Sequence, residues 1–234
     1  MTARAAGVAL AALLATGGAA QAAGRAVQLH ASDGVAIAAT VYDAPAPPAP
    51  AVVLVHMLTR NKEDWRPFAE RLQASGFTAV AFDLRGHGQS EGPSAPVTAM
   101  ALDVHAALAW LAARPEVRSG AIAVVGASLG ASLALLAAAE APAVRGVALL
   151  SPASDYRGVR LDAAARKYGP RPMLTVASRE DPYALRTLLA LTGDHQPGRE
   201  RHISAVTAHG SQLLERDAAL AAVLVDWLRR TLLS

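Results

Sequence analysis

The sequence predicts a single-domain α/β fold: one open, mostly parallel sheet with an antiparallel start and helices on both faces. Three observations carry that expectation. From residue 51 onward, short runs that are apolar at every position alternate with helix-like stretches, and such runs belong to parallel strands covered on both faces. Before residue 51, two β-type runs flank Ser32-Asp33-Gly34, a turn sequence that joins antiparallel neighbours. The chain has 234 residues, 53% hydrophobic and 18% charged, enough apolar material for one large core and too much for a disordered tail.

Taken in order, the first stretch has a base at Arg4, an apolar segment over 5–15 and the small-x-small triplet Ala20-Gln21-Ala22. That layout predicts a secretory signal peptide over 1–22, cleavage near Ala22 and an exported domain over 23–234, periplasmic or extracellular. The apolar segment falls short of the roughly 20 residues of a membrane span, and Gly17-Gly18 interrupts it. No later stretch is apolar over a sufficient length, so no stable membrane insertion is expected after cleavage. The opening pair should occupy 26–30 and 35–41. The proline-rich 44–50 reads as a stiff extended connector, because proline blocks helix and ladder hydrogen bonds alike. The apolar runs place further strands at 51–56, 78–82, 121–125, 146–150, 172–177 and 203–207. Helical patterns fall at 62–74, 97–113, 129–139, 185–191 and 213–233, with Asn61 and Thr98 as caps and with Gly76 and Pro115 as stops. Trp65, Trp110 and Trp227 lie within helical patterns and read as core or helix-packing residues.

Composition removes several function classes. Zero cysteines exclude disulfides, thiolate metal sites and a cysteine nucleophile. Twenty-two basic and 19 acidic residues give a net charge of +3 with no run of like charge, which offers nucleic acid little attraction. No His and carboxylate set shows H-E-x-x-H spacing, so no metal is expected. Arg85-Gly86-His87-Gly88 lacks both phosphate-binding glycine patterns and reads as a tight loop after a strand, so no cofactor is expected either.

The chemistry is carried by Gly126-Ala127-Ser128-Leu129-Gly130, a G-x-S-x-G sequence placed directly after an apolar run and directly before an alanine- and leucine-rich helical pattern. In that context the serine hydroxyl projects at the carboxyl end of a strand. The Leu129 amide, at a helix N-terminus, is poised to donate to an oxyanion. Gly88-Gln89-Ser90-Glu91-Gly92 matches the same pattern, but Pro93 and Pro96 stand where its helix would begin, so context selects Ser128 over Ser90.

With Val52-Val53-Leu54-Val55-His56, Phe82-Asp83-Leu84-Arg85-Gly86-His87-Gly88 and Ala208-His209-Gly210 in the same order, the chain resembles the α/β-hydrolase fold family over nearly all of 23–234. The likeness is to compact bacterial esterases similar to dienelactone hydrolases and to the catalytic domains of prolyl oligopeptidases. It implies the order nucleophile, acid, histidine. His195, His202 and His209 follow Ser128, and His209 lies where the family places its base, past the last strand and before the C-terminal helix. His195 sits in a polar loop, and His202 is expected to begin a strand at the end away from the site. For the acid, Asp181 matches the family position best, with adjacent Glu180 and, after an earlier strand, Asp155 as competitors. The second oxyanion amide is implied at Leu58, with Met57 the alternative and its side chain a pocket wall. The departure here is that Met57 stands where the family usually has glycine. His56 reads as a loop brace. Only about twenty residues separate 150 from 172, which implies a minimal cap, a small flap containing Tyr156 and Tyr168 over an open site. The expected activity is serine hydrolysis of a small-molecule carboxylic ester with a small to medium acyl group. A peptidase or thioesterase would use the same triad, and a catalytically silent binding protein is the alternative from another class.

Overall fold

The computed structural model describes residues 23–193 and 197–234, so the expected signal peptide and His195 lie outside the described residues. Eight strands form one sheet in the order β1-β2-β4-β3-β5-β6-β9-β10. The first two, β1 (Arg25–His30) and β2 (Ala36–Tyr42), are antiparallel, and β2 pairs antiparallel with β4 (Thr78–Phe82). From β4 onward all pairing is parallel, through β3 (Ala49–Val55), β5 (Val117–Ala127), β6 (Val144–Leu150), β9 (Met173–Ser178) and β10 (Arg199–Ser204). The remaining strands, β7 (Asp155–Tyr156) and β8 (Val159–Arg160), make a small separate hairpin.

The interior strands are buried along their whole length, as their unbroken apolar runs require: every residue of β3 and of β4 is buried. One face is covered by α1 (Arg66–Ala74) and α7 (Leu220–Leu232), which contribute Phe68, Leu72, Leu224 and Trp227 to a common core. The other is covered by α2 (Ala101–Ala112), α3 (Leu129–Glu140) and α4 (Leu161–Tyr168), with Val104, Leu108, Leu133 and Leu161 in its core. Two further helices, α5 (Pro182–Thr192) and α6 (Gln212–Arg216), follow β9 and β10. No helix among the described residues is long and apolar enough to cross a membrane.

Five expectations need correction. Ala49 and Pro50 belong to β3 and not to the connector; the register shifts between Ala49 and Ala51, so the proline sits at an irregularity where its missing N–H breaks no ladder bond. The last strand is Arg199–Ser204 and not 203–207. It is a sheet edge, paired on one side only, with Glu200 and Arg201 facing water. The C-terminal helix is two helices, split where Asp217 turns its carboxylate back to the Ala219 amide (3.1 Å). Thr98 caps nothing: it lies inside a 3-10 turn, Val97–Met100, that begins after Pro96. The flap contains a helix, α4, and Tyr168 is one of its buried residues, not part of a cover. Asn61, by contrast, does cap, accepting from the Glu63 amide at 3.0 Å.

Candidate active site

Strand order reverses beside β3, which has β4 on one side and β5 on the other, and ligands of open α/β sheets bind outside the carboxyl ends of strands at such a switch point. The loops after β3 and β5, and those after β9 and β10, meet there. Ser128 leaves β5 with φ 51 and ψ −114, a conformation that a residue with a Cβ rarely adopts. It is held by its amide, which donates to Leu150 O at 2.8 Å, and by the closeness of β5, α3 and β3. Only glycine fits on either side of the turn. A Cβ on Gly126 would lie 2.2 Å from Gly130 O, and one on Gly130 would lie 2.3 Å from Val55 O.

The hydroxyl of Ser128 lies 2.8 Å from His209 Nε2, and His209 Nδ1 lies 2.6 Å from Asp181 Oδ2. A carboxylate only accepts, so Nδ1 carries the proton and Nε2 is left as an acceptor for the serine O–H. Asp181 is fixed from the other side, because its Oδ1 accepts the Ala184 amide (3.1 Å) as the N-cap of α5 with Pro182 at the first helical position. The structure therefore brings Ser128, Asp181 and His209 into one line. Glu180 is exposed and has no side-chain partner among the described residues, and Asp155 lies in the β7–β8 hairpin, not bonded to His209. His202 is the fourth residue of β10, not its first. It faces Asp217 (3.6 Å) and has no contact with Ser128. Ser90 is spent on the scaffold, accepting the Ala38 amide (2.8 Å) and donating to Asp83 O (2.6 Å).

Among the described residues the amides of Leu58 and Leu129 donate to no protein acceptor. That of Leu129 opens α3, where the helix dipole is positive. The orientation of Leu58 is set by His56, which is fully buried. Its Nε2 accepts the Leu84 amide (2.9 Å), so its Nδ1 is the donor and binds Met57 O at 2.7 Å. Holding the Met57 carbonyl turns the trans peptide so that the Leu58 N–H points the opposite way. Burial pushes the His56 imidazole down from its ordinary value of 6.5 to about 4, so it stays neutral and keeps this tautomer near neutral pH. The sulfur of Met57 packs on Gly210, next to His209. Beside His209 an open groove of about 420 Å³ is lined by Glu180, Pro182, Thr207, Gln212 and Arg216. No group of three or more metal-ligating side chains occurs among the described residues.

Sequence reasoning missed the serines that hold these loops. Ser151, at the end of β6 and also at positive φ (51), accepts the Gly210 amide at 3.0 Å. Ser178, ending β9, donates to Val206 O (2.6 Å) and accepts from the Glu180 amide (3.0 Å). Lys62 is buried and paired with Asp83 (2.7 Å), which also accepts the Gln89 amide and so closes the loop after β4. A small polar residue at the carboxyl end of an apolar run was the available signal for both serines.

A family model for the alpha/beta hydrolase fold matches residues 50–201. Compared with curated protein sequences, the chain finds no match. Among solved structures it is similar to an esterase from Pyrococcus furiosus (19% identity, 90% of this chain and 91% of that one, TM-score 0.78). It is similar also to an alpha/beta hydrolase, GrgF, from a Penicillium species (17%, 91% and 100%, 0.76), and to a dienelactone hydrolase from Anabaena variabilis (21%, 91% and 100%, 0.74). The matched span runs from β3 into β10 and includes the Ser128 turn and Asp181, and the chain belongs to the alpha/beta hydrolase fold family.

Proposed function

We propose that this protein is an exported serine hydrolase that cleaves carboxylic esters of small to medium acyl group through an acyl-enzyme. The observation that carries the reading is the continuous line of hydrogen bonds from Asp181 through His209 to Ser128, 2.6 and 2.8 Å, ending at a helix N-terminus. In this reading Ser128 Oγ attacks the ester carbonyl carbon as its proton passes to His209 Nε2. The carbonyl π electrons move onto oxygen, where the Leu129 and Leu58 amides stabilise the oxyanion. Collapse expels the alkoxide, which takes the proton from His209. Water then attacks the acyl-enzyme with His209 as base, and Ser128 recovers its proton as the acid departs. Asp181 stays ionised and stabilises the imidazolium.

The ester class is supported by the short segment between β6 and β9, which leaves the site open. It is supported too by the names of two similar structures, an esterase and a dienelactone hydrolase. The test is initial rates on a series of aryl esters of increasing acyl length, beside a peptide amide and a thioester, for the wild type and Ser128→Ala. Turnover should be highest on short esters and fall on the order of 10⁴- to 10⁶-fold in kcat in the variant. Equal rates in both proteins, or turnover confined to the peptide or thioester, would displace the proposal.

A further inference from the structure

We propose that Met57 is an oxidation site: a peroxide that converts its thioether to the sulfoxide displaces the Gly210 turn and breaks the Ser128–His209 hydrogen bond. The chain has no cysteine and four methionines, so thioethers are its only sulfur. Of the three within the described residues, Met100 and Met173 are fully buried, whereas Met57 is half-buried at the site. Accessible thioethers oxidise first, and the product is polar where the starting group was not.

The surroundings of the sulfur make the change consequential. Met57 Sδ lies 2.6 Å from the point where a Cβ on Gly210 would sit, and the Cβ atoms of Ala127 and Ser128 lie 3.6 Å from that same point. No room exists on that side for an added oxygen. Gly210 is at φ 60, and its turn is also secured by the Gly210 amide on Ser151 Oγ (3.0 Å), by Ser211 Oγ on Asp64 Oδ2 (3.0 Å) and by the Gln212 and Leu213 amides on the His209 and Gly210 carbonyls (3.2 Å each). Ser211 Oγ is also 3.5 Å from Met57 Sδ but has one proton, which goes to the carboxylate as the stronger acceptor. A sulfoxide oxygen is a strong acceptor and would compete for it. The His209 ring is half-exposed and held by its two hydrogen bonds, to Asp181 and to Ser128, so a shift of the backbone that carries it strains the longer of the two, the 2.8 Å bond to Ser128.

In the step itself a sulfur lone pair attacks one peroxide oxygen. The S–O bond forms, the O–O bond breaks, and water leaves; sulfur loses two electrons and the peroxide is reduced. A thiol-dependent methionine sulfoxide reductase reverses it.

The folded protein is titrated with hydrogen peroxide while three quantities are followed: peptide masses for one added oxygen at each methionine, ester kcat/KM, and the downfield proton resonance of His209 Nδ1–H. The rate readout rests on the proposed hydrolase activity; the other two do not, so a protein without ester turnover would sink that activity and still report on Met57. The oxygen should appear first on Met57. As it does, kcat/KM should fall on the order of 100-fold and the resonance should shift or vanish, with the reductase restoring both. Met57→Leu, similar in size and without sulfur, should keep its own starting rate at the same dose, and Met57→Gln should lack the downfield resonance without any peroxide. Three results would each overturn the proposal: full oxidation of Met57 with rate and resonance unchanged, oxidation of Met100 or Met173 ahead of Met57, or an equal loss of rate in Met57→Leu.

Discussion

Ser128 stores backbone strain of about 1–3 kcal/mol at φ 51, and the cost falls where it exposes the hydroxyl to His209. The same economy appears in Asp181, whose two carboxylate oxygens serve two partners: one caps α5 and the other orients His209. The difference from Glu180 is one methylene and one position, and it decides the role. The short Asp side chain followed by Pro182 is a helix-start signature, three residues ahead of the start expected at 185, whereas Glu180 is exposed. Asparagine also caps helices, so Asp181→Asn should keep the fold while losing the charge and the useful imidazole tautomer. Its kcat on a good ester should drop on the order of 10⁴-fold, and Glu180→Gln and Asp155→Asn should each stay within about threefold of wild type. Steady-state kinetics on the three folded variants check this. A large loss in either of the latter two beside a near-normal Asp181→Asn would move the acid elsewhere. What the sequence did not disclose at this scale are residues that act through others. Nothing in Leu150-Ser151-Pro152 says that Ser151 Oγ will hold the amide of Gly210, because that contact joins loops 59 residues apart.

Elements with continuous apolar runs were legible at their buried cores, since burial on both faces leaves one pattern: β4 spans 78–82 as expected and β6 gains only two residues, whereas β5, expected at 121–125, extends at both ends to Val117–Ala127. Elements whose pattern is set by position in the sheet were not. The edge strand β10 opens on three charged residues in succession and buries only Ser204, and α4 is one short amphipathic turn pair that buries Leu161, Ala164 and Tyr168 amid Asp162, Arg166 and Lys167. The loops around the site are joined by His56, which ties the end of β3 to Leu84 after β4. Its imidazole is held at about 4 when folded against 6.5 ordinarily. As pH falls, the unfolded chain therefore takes up this proton first, and the His56 contribution is complete above about pH 6.5 and lost toward pH 4. Urea unfolding across that window should show wild-type stability falling by up to roughly 3 kcal/mol more than that of His56→Gln. Parallel pH dependences in the two proteins would show that His56 is not held neutral.

For the whole molecule, the switch in strand order beside β3 gathers the loops after β3, β5, β9 and β10, so residues from 57 to 209 form one site without a second domain. Of the four short motifs behind the family resemblance, three lie at those loops, after β3, β5 and β10, whereas Phe82–Gly88 follows β4 and the Asp181 loop after β9 carries none of them. The departure at Met57 is filled by the thioether packed on Gly210. Export rests on the first 22 residues: N-terminal sequencing of protein recovered outside the cytoplasm should begin at or near Ala23, and recovery only as a cytoplasmic chain that keeps Met1 or Thr2 would contradict it. The central claim is that Ser128 is a nucleophile activated by His209, and covalent labelling addresses it without knowledge of the natural substrate. The folded protein is treated with a fluorophosphonate, digested, and the adduct located by peptide mass. One phosphonyl group on Ser128, with none on Ser90 and none on Ser128 in a His209→Ala variant, is the result that the geometry predicts. An adduct on Ser90 or another serine with Ser128 unmodified, or labelling of Ser128 that persists undiminished without His209, would contradict it.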